Sequence, residues 1–275
     1  MNTDRKLRIL IANDDGVFAP GIKVLEKIVS QITDDYWIVA PKEEQSGVGH
    51  SISLRNPLRL TKVGERKYHV NGSPADCVII ALEKLLKDNP PDIVITGINN
   101  GENTGECVML SGTIAAAREA TRRGFRAIAV SLVTKEVSPV NWEVAEQYGE
   151  RVIRKVMNCD WPKSSFINVN FPHISVEKVK GIKAVPHGQR VHLDNIVECL
   201  DPYGQPYYWV GVLREEQHHG DGTDLDVTQE GYISVTVLKI NQTDLETTRE
   251  IAKDISMEFT EETVKWAGQE AKKSA

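Results

Sequence analysis

Two adjacent carboxylates, Asp14 and Asp15, end an aliphatic run near the start of the chain, in the stretch RILIANDDGVFAPG (residues 8–21). Neighbouring carboxylates repel each other, and a divalent cation relieves that repulsion while using their oxygens as ligands. A solvated turn explains the same residues, because Asp-Gly is a common turn pair and Gly16 follows. The pair alone therefore leaves both a metal site and an ordinary turn open.

A second polar stretch, APKEEQSGVGHSISL (residues 40–54), follows another short apolar run. The hydroxyl of Ser46, the imidazole of His50 and the bare glycine amides could approach an ion or a phosphate. A flexible glycine-rich loop with a surface histidine is the alternative interpretation. This stretch therefore supports a site only in combination with others.

Asparagine and glycine dominate a third stretch, TGINNGENTG (residues 96–105). Amide oxygens are hard, neutral ligands that suit Mg²⁺ or Mn²⁺, and glycine lets the backbone come close to a ligand. A plain Asn-Gly turn is again the alternative.

A fourth stretch, LSGTIAAAREA (residues 110–120), opens a predicted helix with Ser111, Gly112 and Thr113. The exposed amides at the start of a helix can bind an anion such as a phosphate. Simple N-capping by serine or threonine is compatible with that function.

The elements that must position these stretches alternate between strand and helix. Apolar runs predict strands at residues 7–12, 36–41, 92–96, 126–131 and 166–171, and helical spacing predicts helices at 21–32, 74–86, 111–123 and 144–157. This order predicts a three-layer, doubly wound, Rossmann-like α/β fold with a mostly parallel sheet. Because such folds bind ligands beyond the carboxyl ends of their strands, a metal and a phosphoryl group at that edge would explain all four stretches together.

The composition changes from about residue 183, where histidine, glycine, aspartate and aromatic residues become frequent. Alternating polarity in YYWVGV and YISVTVLKI predicts a β-hairpin or edge strands outside the main sheet. The sequence pattern of residues 246–271 predicts a terminal amphipathic helical segment. We expect a single domain over residues 1–275, whose extension from about residue 183 serves self-association through the hairpin and the C-terminal helix.

The overall composition excludes several classes of protein. A net charge of −6, with 40% hydrophobic and 26% charged residues, is typical of a globular protein and argues against binding nucleic-acid polymers or membranes. No apolar run approaches the roughly 20 residues of a membrane span, and no signal-peptide pattern opens the chain, so we expect a cytoplasmic protein. The four cysteines lack metal-site spacing, and Cys77 is expected to be a small buried hydrophobe.

In combination, these motifs resemble the SurE (survival protein E) family of 5′/3′-nucleotidases and acid phosphatases. The resemblance extends from about Leu7 to Leu238. Its matching pieces, in order, are RILIANDDGVFAPGI, VAPKEEQSGVGHSISL, NGSPADCV, ITGINNGENTG, LSGTIAAAREA and TDLDVTQEGYISVTVL. Two small departures are Asn100, a position expected to vary, and GEN in place of GPN; neither removes a ligand.

The resemblance implies a metal-dependent phosphomonoesterase that hydrolyses nucleoside 5′- and 3′-monophosphates, or alternatively short polyphosphates or other small phosphomonoesters. It implies a homodimer or homotetramer and one divalent cation, Mg²⁺ or Mn²⁺. By motif, the ligands would be Asp14, Asp15, Ser46 and Asn99. The catalytic groups would be Asp14, Asn13 and Ser111, and the substrate contacts would be Ser111, Gly112, Thr113, Asn103 and His50.

Other classes of protein fit the sequence less well. A phosphoacceptor receiver domain also places acidic residues after its first strand, but it needs an aspartate at the end of the third strand, where this chain has Gly97, Ile98 and Asn99. A dinucleotide-binding protein would need G-x-G-x-x-G, which DDGVFAPG does not supply. An aspartyl-phosphate phosphatase would need D-x-D after the first strand, and a serine hydrolase would need G-x-S-x-G.

Overall fold

A computed structural model of the chain describes residues 6–134, 139–219 and 221–255. The strands within these ranges are β1 (Ile9–Ala12), β2 (Tyr36–Pro41), β3 (Leu60–Gly64), β4 (Lys67–Val70), β5 (Ile93–Asn100), β6 (Arg126–Leu132), β7 (Ser165–Phe171), β8 (Gly181–Ala184), β9 (Gln189–Leu200), β10 (Pro206–His219) and β11 (Tyr232–Lys239). The helices are α1 (Pro20–Ser30), α2 (Pro74–Ile80), α3 (Cys107–Leu110), α4 (Gly112–Arg122), α5 (Glu143–Met157), α6 (Asp224–Gln229) and α7 (Leu245–Ile255).

The main sheet contains nine strands in the order β3-β4-β2-β1-β5-β6-β7-β11-β8. Neighbouring strands from β4 through β7 run parallel, while β3 and β11 pair antiparallel with β4 and β7. The carboxyl ends of β1, β2 and β5 therefore meet at one edge of the sheet, and the first three polar stretches leave the sheet there.

Helices cover both faces of this sheet, which confirms the predicted three-layer architecture. Alternate residues of β1 divide between two buried apolar clusters: Ile9 and Ile11 pack with α1 and α5, whereas Leu10 and Ala12 pack with α2 and α4. A strand buried on both sides reads as a continuous aliphatic run. Cys77 lies in the second cluster, as expected for a small hydrophobe.

The helices around the site begin where local sequence signals predict. Ser73 and Asp76 form a reciprocal capping box at the start of α2, with Pro74 in the first turn. The Ser111 hydroxyl accepts a hydrogen bond from the Ile114 amide at the start of α4. The segment predicted as one helix over residues 74–86 instead changes to a π-helical turn at Ala81–Leu85.

The prediction that YISVTVLKI lies outside the main sheet is wrong. This segment is β11, which pairs with β7 on one side and with β8 on the other. Its alternation does not separate a buried apolar face from an exposed polar face: Ser234 and Thr236 are buried, while Val237 on the opposite face is half exposed. In this strand the alternating polarity therefore indicates neither which face is covered nor which sheet the strand joins. The short strands β3, β4 and β8 were also not predicted.

The hairpin prediction is confirmed for the earlier segment. Strands β9 and β10 form a separate two-stranded antiparallel sheet, paired from Gln189 with His219 to Leu200 with Pro206. The chain divides into two compact units, residues 1–240 and 241–275, and α7 belongs to the second. Residues 256–271 of the predicted terminal helix lie outside the described residues. Within the described ranges, no helix combines the length and apolarity that a membrane span requires.

Candidate active site

The turn after β1 is held in shape by the side chain of Asn13. Its Nδ2 donates to the backbone oxygen of Gly16 at 2.9 Å, and the Gly16 amide donates back to Asn13 Oδ1 at 3.2 Å. Gly16 has φ of 104°, a conformation that glycine adopts without strain. Asn13 is fully buried, so both ends of its amide fix how the two following carboxylates leave the strand.

Asp14 is buried and links the end of β1 to the start of α4. Its Oδ1 accepts from the Thr113 hydroxyl at 2.5 Å, and its Oδ2 accepts from the Thr113 amide at 3.1 Å. Burial raises the pKa of Asp14 above its ordinary value, against the opposing effect of hydrogen bonds from Thr113 and the Gly112 amide. Asp14 is thus itself the anion held by the first amides of α4.

Asp15 lies on the other side of the turn, where its Oδ2 accepts from the Asn100 amide at 3.3 Å. Burial, followed by the negative charge of Asp14, raises the pKa of Asp15 to about 7; Glu44 adds a smaller effect of the same sign. The two carboxylates therefore face an electrostatic cost that their own hydrogen bonds do not remove.

Backbone contacts bring the two remaining predicted ligands to the same edge. The Gln45 amide donates to the Asp14 backbone oxygen at 2.9 Å, which brings the loop containing Ser46 against the carboxylate turn. The exposed Ser46 hydroxyl donates to Glu44 Oε1 at 2.8 Å. Asn99 lies next to Asn100, whose amide donates to Asp15. Its own Nδ2 donates to Gly101 O at 2.8 Å, so Oδ1 is the side-chain atom that could serve as a ligand.

This donor set fits a hard divalent cation. It offers two carboxylates, one hydroxyl and one amide oxygen, which are ligands that suit Mg²⁺ and Mn²⁺. A cation would also offset the negative charge of Asp14, which adds to the larger effect of burial in raising the pKa of Asp15. Among the described residues, no cluster of three or more His, Cys, Asp or Glu side chains could hold a metal. The candidate set instead combines two carboxylates with two neutral oxygens.

The start of α4 lies directly beside Asp14. A Cβ atom added at Gly112 would lie 2.8 Å from Asp14 Cβ and 2.8 Å from Pro74 Cγ, so only glycine lets the helix come this close. The Thr113 amide is used by Asp14 and the Ile114 amide by Ser111. Phosphate binding by Ser111, Gly112 and Thr113 stays a prediction.

Asn103 occupies a separate buried polar cluster at the ends of β6 and β7. Its Nδ2 donates to Ser131 Oγ at 2.8 Å, and its amide donates to Asn170 Oδ1 at 2.8 Å. Its backbone oxygen accepts from the side chains of Asn168 and Asn170. These contacts fix the loop that follows β5, and a direct contact between Asn103 and substrate stays a prediction.

His50 is directed towards Glu119 rather than towards the carboxylate turn. Its Nε2 lies 3.1 Å from Glu119 Oε2, and Glu119 lies eight residues beyond Ser111 along α4, about 12 Å along the helix axis. The ring therefore holds the loop after β2 against the middle of α4. The predicted substrate contact of His50 stays a prediction.

Sequence reasoning missed a buried carboxylate that supports the same edge. Asp224, at the start of α6, accepts from the Gly188 amide at 2.8 Å and from the Gly105 amide at 3.3 Å. His187 Nε2 contacts the Gly105 oxygen at 2.5 Å. Burial raises the pKa of Asp224. The sequence signal for Asp224 was the acidic motif TDLDV. It could not reveal the contacts of Asp224, because Gly188 and Gly105 lie more than thirty positions away in the chain.

The fold defines a doubly wound α/β protein, and the edge beyond its first strand carries a candidate cation site of hard oxygen ligands. Residues 9–194 match the family model described as Survival protein SurE. That match covers more than half of the chain, and the chain belongs to the SurE family.

Relatives with assigned activities are similar over most of their length. The chain is 46% identical over 232 residues to the "5′-nucleotidase SurE" of Paramagnetospirillum magneticum, covering 84% of this chain and 89% of the relative. It is 43% identical to the "5′-nucleotidase SurE" of Parvibaculum lavamentivorans, covering 89% and 90%. The crystal structure of the SurE protein from Aquifex aeolicus has a TM-score of 0.79 at 35% identity, covering 90% of this chain and all of that one.

Proposed function

We propose that this protein is a 5′-nucleotidase, a divalent-metal-dependent phosphomonoesterase that hydrolyses nucleoside monophosphates to nucleoside and phosphate. The observation that carries the proposal is the pair of adjacent carboxylates at the carboxyl edge of the sheet, of which Asp14 is buried and Asp15 is half-buried. Burial, followed by the charge of Asp14, raises the pKa of Asp15 to about 7. A pair so destabilised is expected where a cation binds. Relatives that cover most of this chain are named 5′-nucleotidases.

The proposed ligands of one Mg²⁺ or Mn²⁺ ion are Asp14, Asp15, Ser46 and Asn99. When bound, such an ion would polarise a phosphoryl oxygen and offset the charge that develops as the phosphorus–oxygen bond breaks.

The remaining residues orient these groups. Asn13 holds both ends of the turn through Gly16, so that the carboxylates are placed before any ligand arrives. The Thr113 hydroxyl and amide fix the Asp14 carboxylate in one rotamer. We assign the contact with the phosphate to the Ser111 hydroxyl at the start of α4, which accepts from the Ile114 amide and still has its own hydrogen to donate. A well-placed donor of this kind stabilises a transition state by about 3 kcal/mol.

Replacement of Asp14 by asparagine tests the assignment, because it removes a charge without changing the shape of the side chain. We expect Asp14→Asn to lower turnover of adenosine 5′-monophosphate by at least about a hundredfold and to abolish Mn²⁺ binding measured by calorimetry. Asp88→Asn, a change at an exposed aspartate, is the matched control and should match the wild type.

The assay should include nucleoside 5′- and 3′-monophosphates, p-nitrophenyl phosphate and short polyphosphate, each with Mg²⁺, Mn²⁺ and EDTA. Activity confined to polyphosphate would replace the proposed substrate class. Full turnover in EDTA, or in the Asp14→Asn protein, would overturn the metal-dependent mechanism.

We further propose that the β9–β10 hairpin mediates a homodimer or homotetramer. An isolated two-stranded sheet is marginally stable in water. Large apolar side chains of this one are nevertheless exposed on both faces: Ile196 and Val210 form one cross-strand pair, and Trp209, which faces the opposite side, is paired with Val197. A second copy of the chain would cover them.

A further inference from the structure

An open cleft of about 480 Å³ lies beside the carboxylate pair, within the range of about 300–1,000 Å³ that small-molecule sites occupy. One end is polar and is formed by Asp15, Glu44 and Asn100. Asp15 and Asn100 are joined by the hydrogen bond that places β5 against the carboxylate turn. The polar end of the cleft is therefore part of the candidate metal site.

The other end of the cleft is apolar. It is lined by Pro20 at the start of α1, by Val140 and by Trp142, which immediately precedes α5. Trp142 is half-buried and packs against the apolar cluster beneath α1 and α5. Its indole ring thus has one part in the core while another part forms the wall of the cleft.

The position of the Trp142 ring is set by a glycine. A Cβ atom added at Gly21 would lie 3.0 Å from Trp142 Cη2 and 2.0 Å from the Ile98 backbone oxygen. The absence of a side chain at Gly21 therefore lets the ring lie against the first turn of α1. A ring held in place before the ligand arrives loses little conformational entropy on binding.

We propose that this apolar end binds the nucleobase of the substrate and that Trp142 stacks on it. The inference rests on the proposed function and assigns the base-binding part of the same site. A nucleoside monophosphate has a charged phosphate at one end and a flat base at the other, which matches the polar and apolar ends of the cleft. Tryptophan offers a large flat face to any base, so its contribution is tolerant of base identity.

Two substrates that differ only in the base isolate this contribution. Adenosine 5′-monophosphate and ribose 5-phosphate carry the same phosphate and sugar. We expect Trp142→Leu to raise KM for adenosine 5′-monophosphate about tenfold, equivalent to about 1.4 kcal/mol, while kcat/KM for ribose 5-phosphate changes less than twofold. Trp142→Phe, which keeps an aromatic face, should recover most of the lost affinity.

The matched control is Trp161→Leu. Trp161 stacks under the Arg126 guanidinium at the opposite end of β6, with 3.8 Å between Arg126 Cζ and the ring centroid. This change should leave unaltered the ratio of kcat/KM for adenosine 5′-monophosphate to kcat/KM for ribose 5-phosphate. If Trp142→Leu lowers kcat/KM equally for both substrates, or for neither, the base-binding assignment is overturned.

Two further measurements keep the inference separate from folding and from catalysis. If Trp142→Leu fails to fold, Val140→Thr should raise KM for adenosine 5′-monophosphate alone, about threefold, and an unchanged KM would count against the proposal.

Calorimetric titration with adenosine, which carries no phosphate, requires no turnover. Wild-type protein that hydrolyses phosphate esters but binds no adenosine would refute the inference alone, whereas absence of hydrolysis with adenosine binding intact would refute only the proposed function.

Discussion

Hydrogen-bond partners decide the direction in which the pKa shifts for three carboxylates of this protein, Asp15, Asp224 and Glu119. Asp15 and Asp224 accept mainly backbone amides, and burial raises the pKa of both. For Glu119, burial also acts to raise the pKa, but hydrogen bonds from His50, Arg122 and Arg123 outweigh it and lower the pKa to about 2. Glu119 therefore forms stabilising ion pairs with Arg122 and Arg123. Asp15 has no such cationic partner in its hydrogen bond to Asn100, as is expected of a residue that binds a cation.

The pKa of Glu119 predicts how stability depends on pH. Because the folded pKa of about 2 lies below the ordinary 4.5, the stabilisation is complete above about pH 4.5 and is lost as the pH falls towards 2. We expect Glu119→Gln to lower the free energy of unfolding at pH 5 by on the order of 2 kcal/mol, less than the full pKa difference implies, because Arg122 is 54% exposed and water screens its charge.

Urea unfolding at pH 5 and pH 3 measures this effect, and the difference between wild type and Glu119→Gln should shrink at pH 3. Glu146→Gln, which removes an exposed ion pair with Lys27, is the control and should change stability by less than about 0.5 kcal/mol at both values. A Glu119→Gln difference that stays constant between pH 5 and pH 3 would contradict the assigned pKa.

At the scale of elements, the site depends on how closely α4 approaches the end of β1. Gly112→Ala would place a Cβ atom 2.8 Å from both Asp14 Cβ and Pro74 Cγ, so the helix must shift. Overpacking of this kind costs about 1–3 kcal/mol. We expect a lower midpoint of thermal unfolding and at least about tenfold lower turnover, because the shift moves Thr113 away from Asp14.

Gly64→Ala is the control for this substitution. Gly64 lies at the end of an edge strand, and its added Cβ would meet only Lys67, at 3.3 Å. Stability and activity should both remain close to wild type. Unchanged activity in Gly112→Ala would show that activity does not depend on the position that the contact between α4 and β1 gives to the Asp14 carboxylate.

At the scale of the whole molecule, the β9–β10 hairpin is the proposed interface between copies of the chain. Val210 and Ile196 pair across its strands and are 73% and 65% exposed. If a second copy covers them, Val210→Glu places a charge in an apolar interface and should convert the oligomer to monomer in light scattering. Leu54→Glu, at an 88% exposed loop position, is the control. An unchanged mass for Val210→Glu would place the interface elsewhere.

Much of the fold could be predicted from local patterns. Aliphatic runs and helical spacing predicted β1, β2, α1, α4 and α5 to within a few residues, because strands and helices bury apolar side chains with different periods. The polar stretches could be assigned to one edge because parallel strands share their carboxyl ends. Strands such as β3 and β8 escaped prediction because edge strands bury too little apolar surface to leave a pattern.

The sequence by itself determined the layers of this protein, the edge at which its candidate site lies and the residue types available there. Only the tertiary structure decided how those residues are used. Thr113 meets Asp14 across 99 residues of chain, and His50 turns to Glu119 across 69. Asp224 reaches Gly105 across 119 residues, and β11 joins the main sheet instead of the hairpin. Local propensity acts over a few residues, whereas these contacts arise from packing between segments that are distant in the chain, so no local pattern encodes them.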